Sequence, residues 1–237
     1  MAKVRENNGK ESNNTADVSP FQIKDCALIV SISDQLPALN LREFRERVAS
    51  CSIDAIYHHF CETVLRSTFD DPEFHNDFAR WARRGLHDHV LAERLEVLNP
   101  YEYADLEELR KVVLDILDDR LSELHTISWA LHDNQFFFHS ATTVIFDTSL
   151  TIESPEHLGP AVSQMTTGSI YYHFWEARRR TPEHTDDFTE WLKGWDGKGE
   201  KMITALSHID FYYMRLRELQ LTLVDLFNEI SGNGAGK

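Results

Sequence analysis

The chain has 237 residues, 42% of them hydrophobic and 27% charged, with 39 acidic against 24 basic side chains and a formal net charge of −15. That length builds one large domain or two small ones with a proper core. The charge excludes a nucleic-acid or anionic-membrane ligand, since both need clustered Lys and Arg, and it suits a cytoplasmic protein or one that meets a basic partner.

Three cysteines, Cys26, Cys51 and Cys61, form neither a disulfide framework nor a zinc-ligand spacing, so a reducing cytoplasm is the expected compartment. No apolar run reaches the ~18 residues of a membrane helix, and the polar start has no signal-peptide core.

Residues 1–19 are polar, with few aromatic side chains and no periodicity, and are predicted to be a disordered tail. Alternation and β-branching around Leu28–Ile32 predict a short strand. Asn40 is placed as an N-cap before a helix carrying Leu41, Phe44 and Val48. A helix with His59, Glu62 and Arg66 follows. A loop broken by Pro72 leads to a helix that starts at Asn76-Asp77 and buries Phe78, Trp81, Ala82 and Leu86. Asp88 caps a short helix through Leu91, Leu95 and Leu98, and Asn99-Pro100 marks a turn. A long helix from about Leu106 to Leu124 carries Leu106, Leu109, Val113, Leu117 and Leu121 as its apolar stripe.

The same order then recurs. Phe136–Phe146 is strand-like, and Ser154-Pro155 gives an N-cap with Pro at the first helical position. Next come a helix with His173, a loop with Pro182, a helix start at Asp186-Asp187 and a glycine-rich break over Gly194–Gly199. A helix around Leu206 and Ile209 and a last one from Leu216 to Ile230 complete it, with residues 231–237 as a flexible tail.

This recurrence is written in the residues. Ile56-Tyr57-His58-His59-Phe60-Cys61-Glu62, with Arg66, returns 114 positions later (173 − 59) as Ile170-Tyr171-Tyr172-His173-Phe174-Trp175-Glu176, with Arg180. Asn76-Asp77-Phe78-Ala79-Arg80-Trp81 returns as Asp186-Asp187-Phe188-Thr189-Glu190-Trp191 at an offset of 110 (187 − 77). The predicted fold is therefore mostly α with minor β. Residues 20–125 and 126–230 form two tandem helical repeats related by a pseudo-twofold axis, and their two strands pair.

At ~100° per residue, His59, Glu62 and Arg66 fall within about a 60° arc of one helix face, with Glu62 and Arg66 in the favourable acid-first order. His173, Glu176 and Arg180 repeat this, and Asp77 and Asp187 lie at helix starts. The plain reading is structural: each His donates to a carboxylate or carbonyl, each Glu holds its Arg, and each Asp caps its helix. A second reading grips a small anion with Arg66, Arg180, His59 and His173. A third makes His59, Glu62, His173 and Glu176, with Asp77 and Asp187, a dinuclear metal site. Against it, the order is His-x-x-Glu rather than Glu-x-x-His, and the arginines would oppose a cation.

Weaker signals are the Arg84 to His89 spacing, which helical ribonucleases also use, and His87 with His89, which fall on different helix faces. No phosphate-binding glycine loop or nucleophile elbow is present. Trp175, Trp191, Trp195, Tyr212 and Tyr213 are expected in the core or between the copies.

The runs Ser169–Arg180 (SIYYHFWEARRR), Phe69–Trp81 (FDDPEFHNDFARW) and Leu91–Leu95 (LAERL) resemble an uncharacterised bacterial family, one of the domains of unknown function in the five-thousand-seven-hundreds series. The resemblance spans about residues 20–230. It implies a tandem pair, because shorter archaeal relatives carry one strand, one His-x-x-Glu and one Asn-Asp-Phe-x-x-Trp. Asp186 departs from that pattern, where the first copy has Asn76. The family brings no activity.

The expected function is a non-catalytic interaction or small-ligand-binding module, with a protein or small anionic ligand as partner, for instance as a regulatory partner of a cytosolic metabolic enzyme. No cofactor is expected. The alternative is an enzyme that uses the duplicated His/Glu/Arg/Asp stripe, with or without a dinuclear metal site.

Overall fold

A computed structural model describes residues 18–65 and 74–232. The predicted flexible tails lie outside them, except for Val18-Ser19 and Ser231-Gly232. The chain is mostly helical, as the periodicity predicts, and its two strands pair. Strand β1 (Phe21–Ile32) runs antiparallel to β2 (His139–Ile152), with Phe21 opposite Ile152 and Ile32 opposite His139. The register shifts between Ile23 and Lys24, near Ser149 at φ 58°. β1 extends well before its predicted start at Leu28, while β2 starts after Phe136 and runs past Phe146. Core packing at the strand ends, rather than local propensity, sets these limits.

The first half holds α1 (Leu41–Ser50), α2 (Ile53–Tyr57), α3 (Asp77–Arg84), α4 (His89–Glu96) and α5 (Leu106–Glu123). Polar residues just ahead of the helices explain where they begin, Asn40, Asn76 and Asp88 as predicted, Ser52 and Asp105 in addition. The side chains of Asn40, Ser52, Asn76, Asp88 and Asp105 each accept the free backbone N–H of the third residue of the following helix. Glu43 also reaches back to accept the N–H of Leu39, the residue before the cap. Leu41, Phe44, Val48, Leu109, Val113 and Leu117 are buried, as their spacing predicts.

The second half holds α6 (Leu158–Gln164), α7 (Thr167–Ile170), α8 (Ala177–Arg180), α9 (Asp187–Leu192), α10 (Lys198–Leu206) and α11 (Leu216–Gly232). Three boundaries differ from the sequence reading, the first being the end of α10 at Leu206, ahead of Ile209. α10 begins inside the predicted glycine break, because Gly197 alone takes a positive φ (64°) and the chain turns there into helix. α11 continues through Ser231 and Gly232, which the composition assigned to the tail.

The helix bearing the polar stripe also departs from expectation. After α2 and after α7 the chain winds more widely, as π-helical turns over His58–Glu62 and Tyr171–Glu176. Such turns carry about five residues rather than four per hydrogen-bonded loop, so the regular 60° arc does not form. His59 and Glu62 consequently meet different neighbours.

Two apolar clusters make the core, and the strands cross between them. Phe21, Ile23 and Cys26 of β1 pack in the cluster of the second half, with Phe174, Phe188 and Phe227. Phe136 and Phe138, just ahead of β2, pack in the cluster of the first half, with Phe44, Phe60 and Phe78. The second half therefore completes its core with β1, and the first half with the segment that leads into β2.

Candidate functional site

The crossing strands are held by two histidine clasps. Asn76, not Asp77, caps α3, which leaves the Asp77 carboxylate at the first helical position to face His59. Its Oδ2 lies 2.7 Å from His59 Nδ1, and Asp77 also pairs with Arg80. His59 Nε2 accepts the backbone N–H of His139, at the start of β2, at 3.0 Å. The second clasp repeats this. Asp186 caps α9, Asp187 Oδ2 lies 2.7 Å from His173 Nδ1, and His173 Nε2 accepts the N–H of Lys24 in β1 at 2.8 Å. Arg180 binds Asp187 at 3.0 Å, and its guanidinium lies 4.2 Å from the Tyr172 ring centre. Burial works against the charge on Asp187, yet the hydrogen bonds from His173 and Arg180 hold its carboxyl below the ordinary range.

These contacts fix the tautomer. A backbone N–H can only donate, so Nε2 of each ring is the acceptor and Nδ1 carries the proton given to aspartate. Aromatic neighbours also match across the clasps. His59 stands 4.9 Å from the Phe136 ring, and His173 stands 4.8 Å from Phe21. Phe21 and Phe136 are 115 residues apart (136 − 21), one more than the helix offset, so one extra residue lies between strand and helix in the first half.

The glutamates lie elsewhere, on the seam between the halves. Tyr57 and Tyr171, equivalent residues of the repeated motif, meet hydroxyl to hydroxyl at 3.3 Å. Tyr57 donates to Glu176 Oε2 at 2.5 Å and lies under the Arg179 guanidinium, which reaches Asp54 at 3.1 Å. Burial pushes the Glu176 carboxyl up, opposed by the Tyr57 hydrogen bond and by Arg179, with the nearby charge of Glu62 adding to the rise. Glu62 Oε2 sits 2.6 Å from Nδ1 of fully buried His58, whose Nε2 has no hydrogen-bond partner among the described residues. Tyr101 stacks edge-on against Phe211 and Trp175, and the Tyr212 hydroxyl reaches the Phe60 carbonyl, so Trp175 and Tyr212 of the expected aromatics line the seam, whereas Trp191 packs on Phe21 and Trp195.

The eight predicted site residues therefore divide. His59 with Asp77, and His173 with Asp187 and Arg180, form the clasps. Glu62 and Glu176 face the seam, and Arg66 lies outside the described residues. Arg180 gives hydrogen bonds to Asp187 and to the Tyr172 carbonyl, and both ring nitrogens of each clasp histidine are engaged, so neither imidazole has a lone pair left for a metal. Among the described residues no group of three or more His, Cys, Asp or Glu side chains could hold a metal ion. Cys26 is pushed up to about 12, chiefly by burial, and Cys61 further still, so neither is a nucleophile near neutral pH. Tyr57 and Tyr171 stand in the repeated motif, and His58 beside Tyr57 has Tyr172 as its unlike counterpart, but no role follows for them or for Tyr101 from spacing alone. The Tyr shared by both copies of the motif was the available signal, since a buried phenol needs a partner.

Crossing strands, paired histidine clasps and a tyrosine-glutamate seam define a mostly helical class of protein. A family model described as a family of unknown function (DUF5752) matches residues 18–228, and the chain belongs to that family. The structure is similar to that of OrfY from Thermoproteus tenax, with a TM-score of 0.75 and 27% sequence identity over 90% of this chain and 96% of that one. That relative thus spans both halves. No curated protein matches the chain. Among the described residues no helix is long and apolar enough to cross a membrane.

Proposed function

We propose that the chain is a non-catalytic interaction module, built by internal duplication, that docks a partner protein with a basic surface. The observation that carries this is where the polar stripe goes: both clasp histidines spend both nitrogens on an aspartate and a strand N–H. The matched clasps and the Tyr57–Tyr171 contact support the duplication. The docking face is the outer end of the strand pair. There residues 36–40 run between Trp129-Ala130 and Phe136, bridged to both. Leu36, Trp129 and Leu131 are each about two-thirds exposed on this face, at 71%, 65% and 67%. Exposed apolar groups grouped in this way mark association surfaces. Asp34 and Asp133 stand exposed beside them, and with a net charge of −15 they favour a basic counterpart.

The test is capture from the cells of origin with the wild-type chain and with a Trp129→Asp, Leu131→Asp variant of unchanged thermal stability. A basic protein retained by the first and lost by the second is expected; the same set on both sinks the reading. A second reading, an enzyme or small-ligand site on the seam, is favoured by one observation, the fully buried Nε2 of His58 beside Glu62, unpartnered among the described residues. Elemental analysis, with melting in the presence of a chelator, addresses its metal form. Stoichiometric metal whose removal lowers Tm supports that alternative, and unchanged melting of a metal-free protein discards it.

A further inference from the structure

We infer that the outer edge of β1, over Leu28–Ile32, pairs with the same edge of a second copy of this chain. The argument starts from which backbone groups point outward. Ser33 donates inward to the Phe138 carbonyl at 2.8 Å, whereas the Lys24 N–H points away from β2, to His173. The register is unbroken between these two points. The even-numbered residues of this stretch therefore turn their N–H and C=O away from β2. By the same alternation the odd-numbered residues of β2 turn outward, and the His139 N–H does so to His59.

The two outer edges are finished differently. On β2 the edge passes Thr143 and Ile145 and then meets Asp147, followed by a register shift and Ser149 at φ 58°. A charge and a bulge are ordinary devices that stop an edge from pairing. On β1 the first outward groups are covered: His173 takes Lys24, and the Cys26 thiol meets the Gly168 carbonyl of α7 at 3.3 Å. Beyond Cys26 that cover ends. Among the described residues the outward N–H groups of Leu28, Val30 and Ile32 have no hydrogen-bond acceptor. Val30 is 45% exposed and Ile32 65%. No charged residue, proline or bulge occurs from Cys26 to Ser33. In a chain with 27% charged residues this uncharged stretch lets two copies, each at −15, approach without like charges in contact along it.

The stretch also complements itself. In antiparallel pairing centred on Val30, Val30 faces Val30 of the second copy and Leu28 faces Ile32. Each such pair exchanges both of its bonds, and every side chain opposite another on that face is aliphatic. The product is a four-stranded sheet in the order β2, β1, β1, β2, closed by a twofold axis. This pairing is independent of the docking face proposed above, which is carried by Leu36, Trp129 and Leu131.

Sedimentation of the full chain tests it. The wild type is expected to be a dimer at about 100 μM, with association strengthened as salt rises from about 0.1 to 0.5 M, because screening relieves the mutual charge. Val30→Pro removes an N–H that the β1–β2 ladder does not use, and is expected to weaken association by roughly tenfold or more with little change in Tm. Ile32→Lys places a charge on the edge and is expected to act in the same direction. A wild type that stays monomeric, or a dimer that survives both substitutions, overturns the pairing. Should both variants fail to fold, hydrogen exchange on the wild type still decides. The Leu28, Val30 and Ile32 amides should be protected at high concentration and lose that protection on dilution. Exchange independent of concentration overturns the proposal.

Discussion

His59 and His173 stand at the same 2.7 Å from their aspartates and accept a strand N–H at 3.0 and 2.8 Å, but their surroundings differ. The Asp77 side chain is 5% exposed and pairs with Arg80 of its own helix, α3. The Asp187 side chain is 17% exposed and takes Arg180 from the other side of the loop that precedes α9. The same clasp is thus buried in the first half and partly open in the second. Burial raises the cost of leaving either partner unpaired, so the two clasps should respond to the same substitution by different amounts.

The largest effect expected is from His59→Ala. It takes a hydrogen-bond donor from the buried Asp77 carboxylate and the Nε2 acceptor from the His139 N–H, a loss of about 3–5 kcal/mol in urea unfolding. His173→Ala, beside a more open carboxylate that Arg180 still neutralises, should lose about 1–3 kcal/mol. Equal losses, or the reverse order, would break the comparison.

The sequence made the pairing of elements visible, because caps and apolar spacing are local. Asn40, Asp88 and the stripe on α5 are where they were predicted. The partners of the stripe were hidden. A regular helix was the only geometry that spacing could suggest, and the π-helical turns separate His59 from Glu62. The crossing of the strands, by which His59 holds β2 rather than β1, is a long-range choice. Phe21 and Phe136 make it by completing cores some 150 and 80 residues from themselves, and no local pattern records that.

Gly168 gives the next effect. A Cβ there would lie 2.4 Å from Asp25 Oδ1 and 2.5 Å from the Cys26 carbonyl, where α7 crosses β1. At the matching position the first half carries Asp54, a residue with a side chain. Gly168→Ala should therefore cost about 1–3 kcal/mol, read by thermal unfolding. A neutral result would mean that the two helix-strand contacts are as loose as each other.

Tyr57→Phe probes the seam, where the halves contribute unequal partners to one glutamate. It should lose about 1 kcal/mol near neutral pH, and the Glu176 carboxyl, already raised by burial, should move further up without its donor, as followed by carboxyl-carbon NMR. A group raised in this way favours the native state at low pH. Its contribution is lost as pH climbs from the unfolded value of 4.5 through the raised native value. Asp187 has the opposite sign. Its stabilisation is present above 3.8 and is lost as pH falls through the lowered native value, so Asp187→Asn should flatten the acid limb of the stability curve.

The smallest effect separates a third histidine from the clasps. His75 Nδ1 meets the Glu96 carboxylate, and Nε2 meets the Tyr213 carbonyl at 3.2 Å. Both partners only accept, so this ring carries both protons, whereas His59 and His173 carry one. The Glu96 hydrogen bond raises His75 from 6.5, against the opposing effect of its burial. A raised histidine contributes stability that is complete below 6.5 and is lost as pH rises through the native value. Because His75 ties α4 of the first half to the chain just ahead of α11, that loss loosens the seam on the alkaline side. His75→Gln should abolish this limb of the stability curve and leave the acid limb intact. A variant that keeps the alkaline loss would show that the charge resides elsewhere on the seam.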